Sequence, residues 1–137
     1  MIEIEAQAPP ELAVRLIDVL EFACAELAIP RASLGLMVVG PREMAEINGA
    51  HRATPAPTDV LSFPVDGPDL SDGWPENGPA PELGDIIICP DAAQEPVETL
   101  AVHGLLHLLG YDHETDAGEM LDLQDDLMDR YAEREAV

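Results

Sequence analysis

The chain has 137 residues, 47% of them hydrophobic, enough for a single domain whose core needs no disulfide or metal staple. It carries 28 acidic residues against six arginines and no lysine, a formal net charge of −22, so the basic surface on which most nonspecific nucleic-acid affinity rests is missing. No apolar run reaches the roughly 18 residues of a transmembrane helix, and two cysteines, Cys24 and Cys89, are too few for a disulfide framework and read as small buried apolar residues.

Ile2, Ile4 and Ala6 alternate with Glu3, Glu5 and Gln7, the period of a half-buried strand. This acidic start lacks the positive region and apolar core of a signal peptide, so the expected location is the cytoplasm. Pro9 and Pro10 open a helix whose apolar stripe is Leu12, Leu16, Leu20, Ala23 and Leu27, ended by Pro30. Leu34 to Val39 is too short for a helix and reads as a strand buried on both faces. A short helix from about Pro41 to Asn48 follows, with Met44 and Ile47 inward and Asn48-Gly49 as its stop. Val60 to Phe63 and Ile86 to Cys89 complete a four-stranded sheet. Between them, residues 64 to 83 hold five prolines, three glycines and five acids and read as a long loop, with Trp74 pinning it to the body rather than stacking on a base. From Pro90 the chain is helical again: a helix from about Pro96 to Leu109, then a last helix with Met120, Leu123, Leu127 and Tyr131 inward, Thr115 as N-cap, and a solvated acidic face of Asp122, Asp125, Asp126, Asp129 and Glu133. The expected architecture is α/β: one domain over residues 1–137, a mixed sheet of about four strands packed with helices.

Residues 103 to 113 read HGLLHLLGYDH and hold three of the four histidines in the chain. His103 and His107 are four apart, so on a helix both imidazoles leave one face. Gly110 can take the left-handed conformation that ends a helix, and the turn through Tyr111 and Asp112 then presents His113 from a new direction. Three neutral ring nitrogens converge, a donor set suited to zinc, copper, iron or nickel. With three protein ligands the fourth tetrahedral position stays open to water, the arrangement of catalytic zinc. The competing reading is a set of core histidines bonded to carbonyls, but three neighbouring imidazoles buried without a shared purpose would leave several nitrogens needing partners. A metalloprotease of the HExxH type is excluded, because the position of its general base is Gly104. Asp112 and Glu114 flank His113 and could orient a ligand or handle a proton.

HGLLHLLGYDH, taken with Pro57 to Pro64 (PTDVLSFP), Leu83 to Ile88 (LGDIII) and Arg52 a few residues before the second motif, resembles the bacterial YbeY family of endoribonucleases and rRNA maturation factors. The motifs stand in the expected order and the likeness spans essentially the whole chain. Two departures are visible: His51 where an aromatic commonly precedes the Arg, and Gln124 where the last helix usually has Glu. Neither is expected to touch the three ligands.

The resemblance implies a single zinc ion, with nickel or another divalent transition metal possible, held by His103, His107 and His113, and Arg52 in the active cleft. It further implies single-strand-specific endoribonuclease activity in rRNA maturation, at the 3′ end of 16S rRNA, and in ribosome quality control. Partners would be rRNA and ribosomal particles or ribosome-associated proteins, with neither DNA nor a membrane. A guanidinium matches two phosphate oxygens and keeps its charge, so Arg52 is the candidate cation for the charge that builds at phosphorus. Its rival role is a surface salt bridge with Asp59. Asp59 and Ser62 are candidate substrate-positioning residues, whereas Thr58 closes the preceding turn. The alternatives are a ribosome assembly factor whose metal is structural or weakly catalytic, which the negative charge favours, and a metallohydrolase of another substrate. An acidic, lysine-free composition also suits a high-salt cytoplasm, where screening relieves self-repulsion.

Overall fold

A computed structural model of the chain describes residues 1–52, 58–70 and 73–135, without the side chains of residues 51, 52 and 135. The elements run β1 (Ile2–Gln7), α1 (Pro10–Glu26), β2 (Ala32–Val38), α2 (Pro41–Arg52), β3 (Val60–Pro64), β4 (Glu82–Ile88), α3 (Val97–Leu108) and α4 (Glu119–Glu135), with short 3-10 turns at Gly67–Leu70 and Pro90–Ala92. The sheet order is β1-β2-β4-β3, with β1, β2 and β4 parallel and β3 antiparallel on the edge beside β4. The fold is therefore a single α/β domain on a four-stranded mixed sheet, as the patterning predicts.

One face of the sheet carries α1, α3 and α4 over a core that includes Leu16, Leu20, Leu34, Leu36, Ile86, Ile88, Leu105 and Leu108. On the other face, Met44 of α2 packs with Val39, Leu61, Ile87 and Cys89. Truncating one of the large buried side chains to Ala would cost about 2–5 kcal/mol. Cys24 lies wholly inside, and burial pushes its thiol up to about 12, the behaviour of an inert packing residue.

The described side chains differ from the sequence reading in instructive ways. β2 is not buried on both faces: Ala32, Leu34 and Leu36 are buried, while Ser33, Gly35 and Met37 are only half-covered on the face that carries the acids of β1. α1 stops at Glu26, before Pro30, because Ala28 turns left-handed at φ 58° and Ile29 N–H closes back on Cys24 O at 2.9 Å. α2 runs through Asn48-Gly49 to Arg52: Asn48 is buried and Gly49 keeps a negative φ, so neither acts as a stop. β4 starts at Glu82, four residues early, since Gly84 at φ +135° lets the strand lie against Phe63 O. The long loop is correspondingly shorter and includes the 3-10 turn. Trp74 does pin it, its indole N–H donating to Arg31 O at 2.6 Å. Thr115 does not cap α4; the carboxylate of Asp116 takes the N–H groups of Gly118 and Met120 at 2.8 and 3.0 Å.

Candidate metal centre

α3 is apolar almost all round, with Leu100, Ala101, Val102, Gly104, Leu105, Leu106 and Leu108 buried, and a helix of that kind must lie inside the protein. It packs across β3 and β4 and touches both α1 and α4. The only strip left half-covered near its C-terminal end is the one carrying His103 and His107. Gly104, between them, faces the sheet: a Cβ there would lie 2.8 Å from Ile86 Cγ2 and 3.2 Å from Ser62 Oγ. No side chain of any size fits, and Ser62 Oγ instead donates to Gly104 O at 3.1 Å, tying β3 to the helix.

The end of α3 is built as anticipated. Gly110 sits at φ +99°, Tyr111 N–H reaches Leu106 O at 3.1 Å and Gly110 N–H reaches His107 O at 3.0 Å, a Schellman closure. Asp112 Oδ1 then accepts Glu114 N–H at 3.0 Å, and Asp112 O accepts Thr115 N–H and Asp116 N–H at 3.2 and 3.1 Å. Asp112 thus shapes the turn that carries His113 and makes no hydrogen bond to a histidine among the described residues. Glu114 is exposed and serves the turn only through its N–H.

The three histidines come together, each offering a ring nitrogen, and these atoms lie within 4.8 Å of one another. His107 Nδ1 donates to Tyr111 O at 3.0 Å and His103 Nδ1 to Gln124 Oε1 at 2.7 Å, which fixes the tautomers. Both Nε2 lone pairs are left facing each other at 3.2 Å. Burial first, and then the neighbouring His103, holds His107 below the ordinary imidazole value. Two nitrogens on one tetrahedral zinc, each at about 2.0–2.1 Å, stand about 3.3 Å apart. His113 Nδ1 is buried without a hydrogen-bond partner among the described residues, an otherwise costly orphan. Converging lone pairs, a matching separation and an orphaned buried nitrogen fit a metal ion.

Gln124 is what the sequence reading missed. The residue expected to stand clear of the ligands is 5% exposed and bonds His103 directly. The signal was its place in α4, one residue from Leu123 on the inward stripe. α4 is clasped to α1 by Asp18, which accepts from Tyr131 Oη at 2.7 Å and from Arg134 at 3.1 and 3.2 Å, contacts that hold its carboxyl below the usual range.

The histidines open onto a cleft of about 650 Å³ lined also by Thr58, Asp59, Ser62, Pro64, Pro68, Tyr111, Asp112 and Glu114. Asp59 spends Oδ1 on its neighbour Val60 N–H at 2.8 Å. No described arginine lines this cleft. Arg15, Arg130 and Arg134 pair with Glu98, Glu26 and Asp18 elsewhere, and Arg31 donates to the carbonyls of Gly78 and Pro75. The side chain of Arg52 lies outside the described residues, as does that of His51.

Residues 3–132 match the family model described as Endoribonuclease YbeY. The chain belongs to the YbeY family. A family relative in Rhodococcus opacus (strain B4), named Endoribonuclease YbeY, is 39% identical over 145 residues, covering 88% of this chain and 79% of that one. One in Acidothermus cellulolyticus, of the same name, is 40% identical over 135 residues, covering 84% and 80%. A solution structure of a Thermotoga maritima protein superposes with a TM-score of 0.60 at 28% identity, over 99% of this chain and 93% of that one. No helix among the described residues is long and apolar enough to cross a membrane.

Proposed function

We propose that residues 1–137 act as one metal-dependent hydrolase domain, a zinc-dependent endoribonuclease that cuts single-stranded rRNA in the cytoplasm. The carrying observation is the trio of His103, His107 and His113, whose nitrogens converge within 4.8 Å and line an open cleft in a chain of this family. An all-imidazole set suits zinc, with nickel a second candidate. When bound, the ion would supply Lewis acidity toward a phosphodiester and lower the pKa of water. Gln124 and Tyr111 O orient His103 and His107 and keep their Nε2 lone pairs available. Arg52 is assigned the bidentate contact that offsets charge at phosphorus. Asp59 and Ser62, on the cleft wall, position the RNA. Maturation at the 3′ end of 16S rRNA and ribosome quality control are the proposed contexts, with ribosomal particles as partners.

A second reading has support in the charge. With a net charge of −22 and Asp59, Asp112 and Glu114 lining the cleft, free RNA is repelled, as befits an assembly factor brought to RNA by a partner. The deciding experiment compares cleavage of free RNA and of ribosomal particles, with and without chelator, alongside metal content. One ion per chain and chelator-sensitive cleavage are expected. His103→Ala, His107→Ala and His113→Ala should each lose stoichiometric metal; full metal retention in any of them refutes the convergent site, and chelator-resistant cleavage refutes metal-dependent chemistry.

A further inference from the structure

Tyr111 has two separate parts. Its backbone carbonyl holds His107, but its side chain does none of the work described above. The residue is 37% exposed on the wall of the cleft, and its hydroxyl has no hydrogen-bond partner among the described residues. The exposed Pro64 and Pro68 line the same cleft, and the turn that carries Tyr111 comes close to Pro68, whose Cα is 3.6 Å from where a Cβ on Gly110 would lie. An uncharged aromatic and proline corner thus adjoins three imidazoles in a cleft whose described charges are all negative.

We infer that the Tyr111 ring is a stacking platform for an unpaired nucleobase of RNA, adjacent to the three histidines; this rests on the endoribonuclease reading. A net charge of −22 gives RNA no long-range attraction to the protein, so an uncharged aromatic surface beside the histidines adds affinity that the overall field does not supply. Base stacking on an aromatic ring is indifferent to net charge and accepts every base, because each has a π-face. A base inside a duplex already has both faces covered, so the same ring favours single strands.

The test uses the metal-loaded full chain and a single-stranded RNA oligonucleotide, intact or with one base removed at successive positions. Tyr111→Ala should raise KM roughly 5- to 150-fold, the range of one lost stacking contact, with kcat and metal per chain unchanged. Tyr111→Phe should behave as wild type. One abasic position should cost wild type the same factor and cost Tyr111→Ala nothing more. Unchanged KM in Tyr111→Ala, or loss of metal with loss of activity, overturns the inference and makes the ring a support of the turn. If wild type cleaves no RNA, free or in ribosomal particles, at any monovalent salt concentration tested, the endoribonuclease reading fails by itself. Binding of the same oligonucleotide, followed by fluorescence anisotropy, then decides: weaker binding in Tyr111→Ala sustains the platform, and equal or absent binding ends it.

Discussion

His103 Nδ1 lies 2.7 Å from Gln124 Oε1, so the last helix of the chain holds the first of the three convergent histidines in its tautomer. Gln124→Leu removes the acceptor and strands a ring N–H in a nearly closed environment, at a cost of about 1–3 kcal/mol in stability. Loss of such an orienting partner lowers metal affinity by about 10- to 100-fold. Gln124→Glu keeps an acceptor oxygen and adds negative charge near the donor set, so its affinity should equal or exceed wild type. A competition titration against a chromogenic chelator measures both; equal affinities in wild type and Gln124→Leu would show that His103 needs no help from α4.

Much of this site is legible in one dimension because its parts are local. His103, His107, Gly110 and His113 fall within one turn-ended helix, where spacing alone dictates direction. Gln124 is different: its role depends on α4 folding back over α3, a long-range contact that an inward stripe announces without naming its target. The missed element ends have a similar cause. Ala28 turns left-handed although alanine has no such preference, and Asn48-Gly49 stays helical because Asn48 is buried with α2 against the sheet. In both places tertiary packing overrides local preference.

Gly104 is a packing residue in the middle of α3. By helix propensity alone, Gly104→Ala would stabilise the chain by about 1 kcal/mol. The new Cβ, however, would meet Ile86 Cγ2 at 2.8 Å and Ser62 Oγ at 3.2 Å, and Ile86 is fully buried. Overpacking of this kind costs about 1–3 kcal/mol, so net destabilisation is expected, read as a lower urea midpoint at unchanged slope. A midpoint above wild type would mean that α3 has room to move from the sheet.

Arg52→Lys should impair RNA cleavage almost as much as Arg52→Ala, because a point charge on a flexible stem does not reproduce a bidentate phosphate contact. Both variants should keep one metal per chain, since the proposed ligands His103, His107 and His113 are unchanged in them. Steady-state cleavage rates together with metal analysis check this. Wild-type rates in either variant, with metal bound, would return Arg52 to the surface salt-bridge reading with Asp59.

Salt should act on this protein in the reverse of the usual sense. Nucleic-acid binding normally weakens with salt as phosphates recover their counterions, yet here the protein bears −22 and the charges described in the cleft, Asp59, Asp112 and Glu114, are acidic. Repulsion over a Debye length of about 10 Å at 0.1 M salt dominates the approach of free RNA. Cleavage of isolated RNA should therefore be nearly undetectable at low ionic strength and rise with monovalent salt to an optimum at about several tenths molar or above. A ribosome-bound substrate, placed by contacts outside the cleft, should respond less. Initial rates across a salt series at constant metal measure the effect. A steady fall from the lowest salt upward would assign the approach of RNA to a local cationic path through Arg52, stronger than the field of the whole chain.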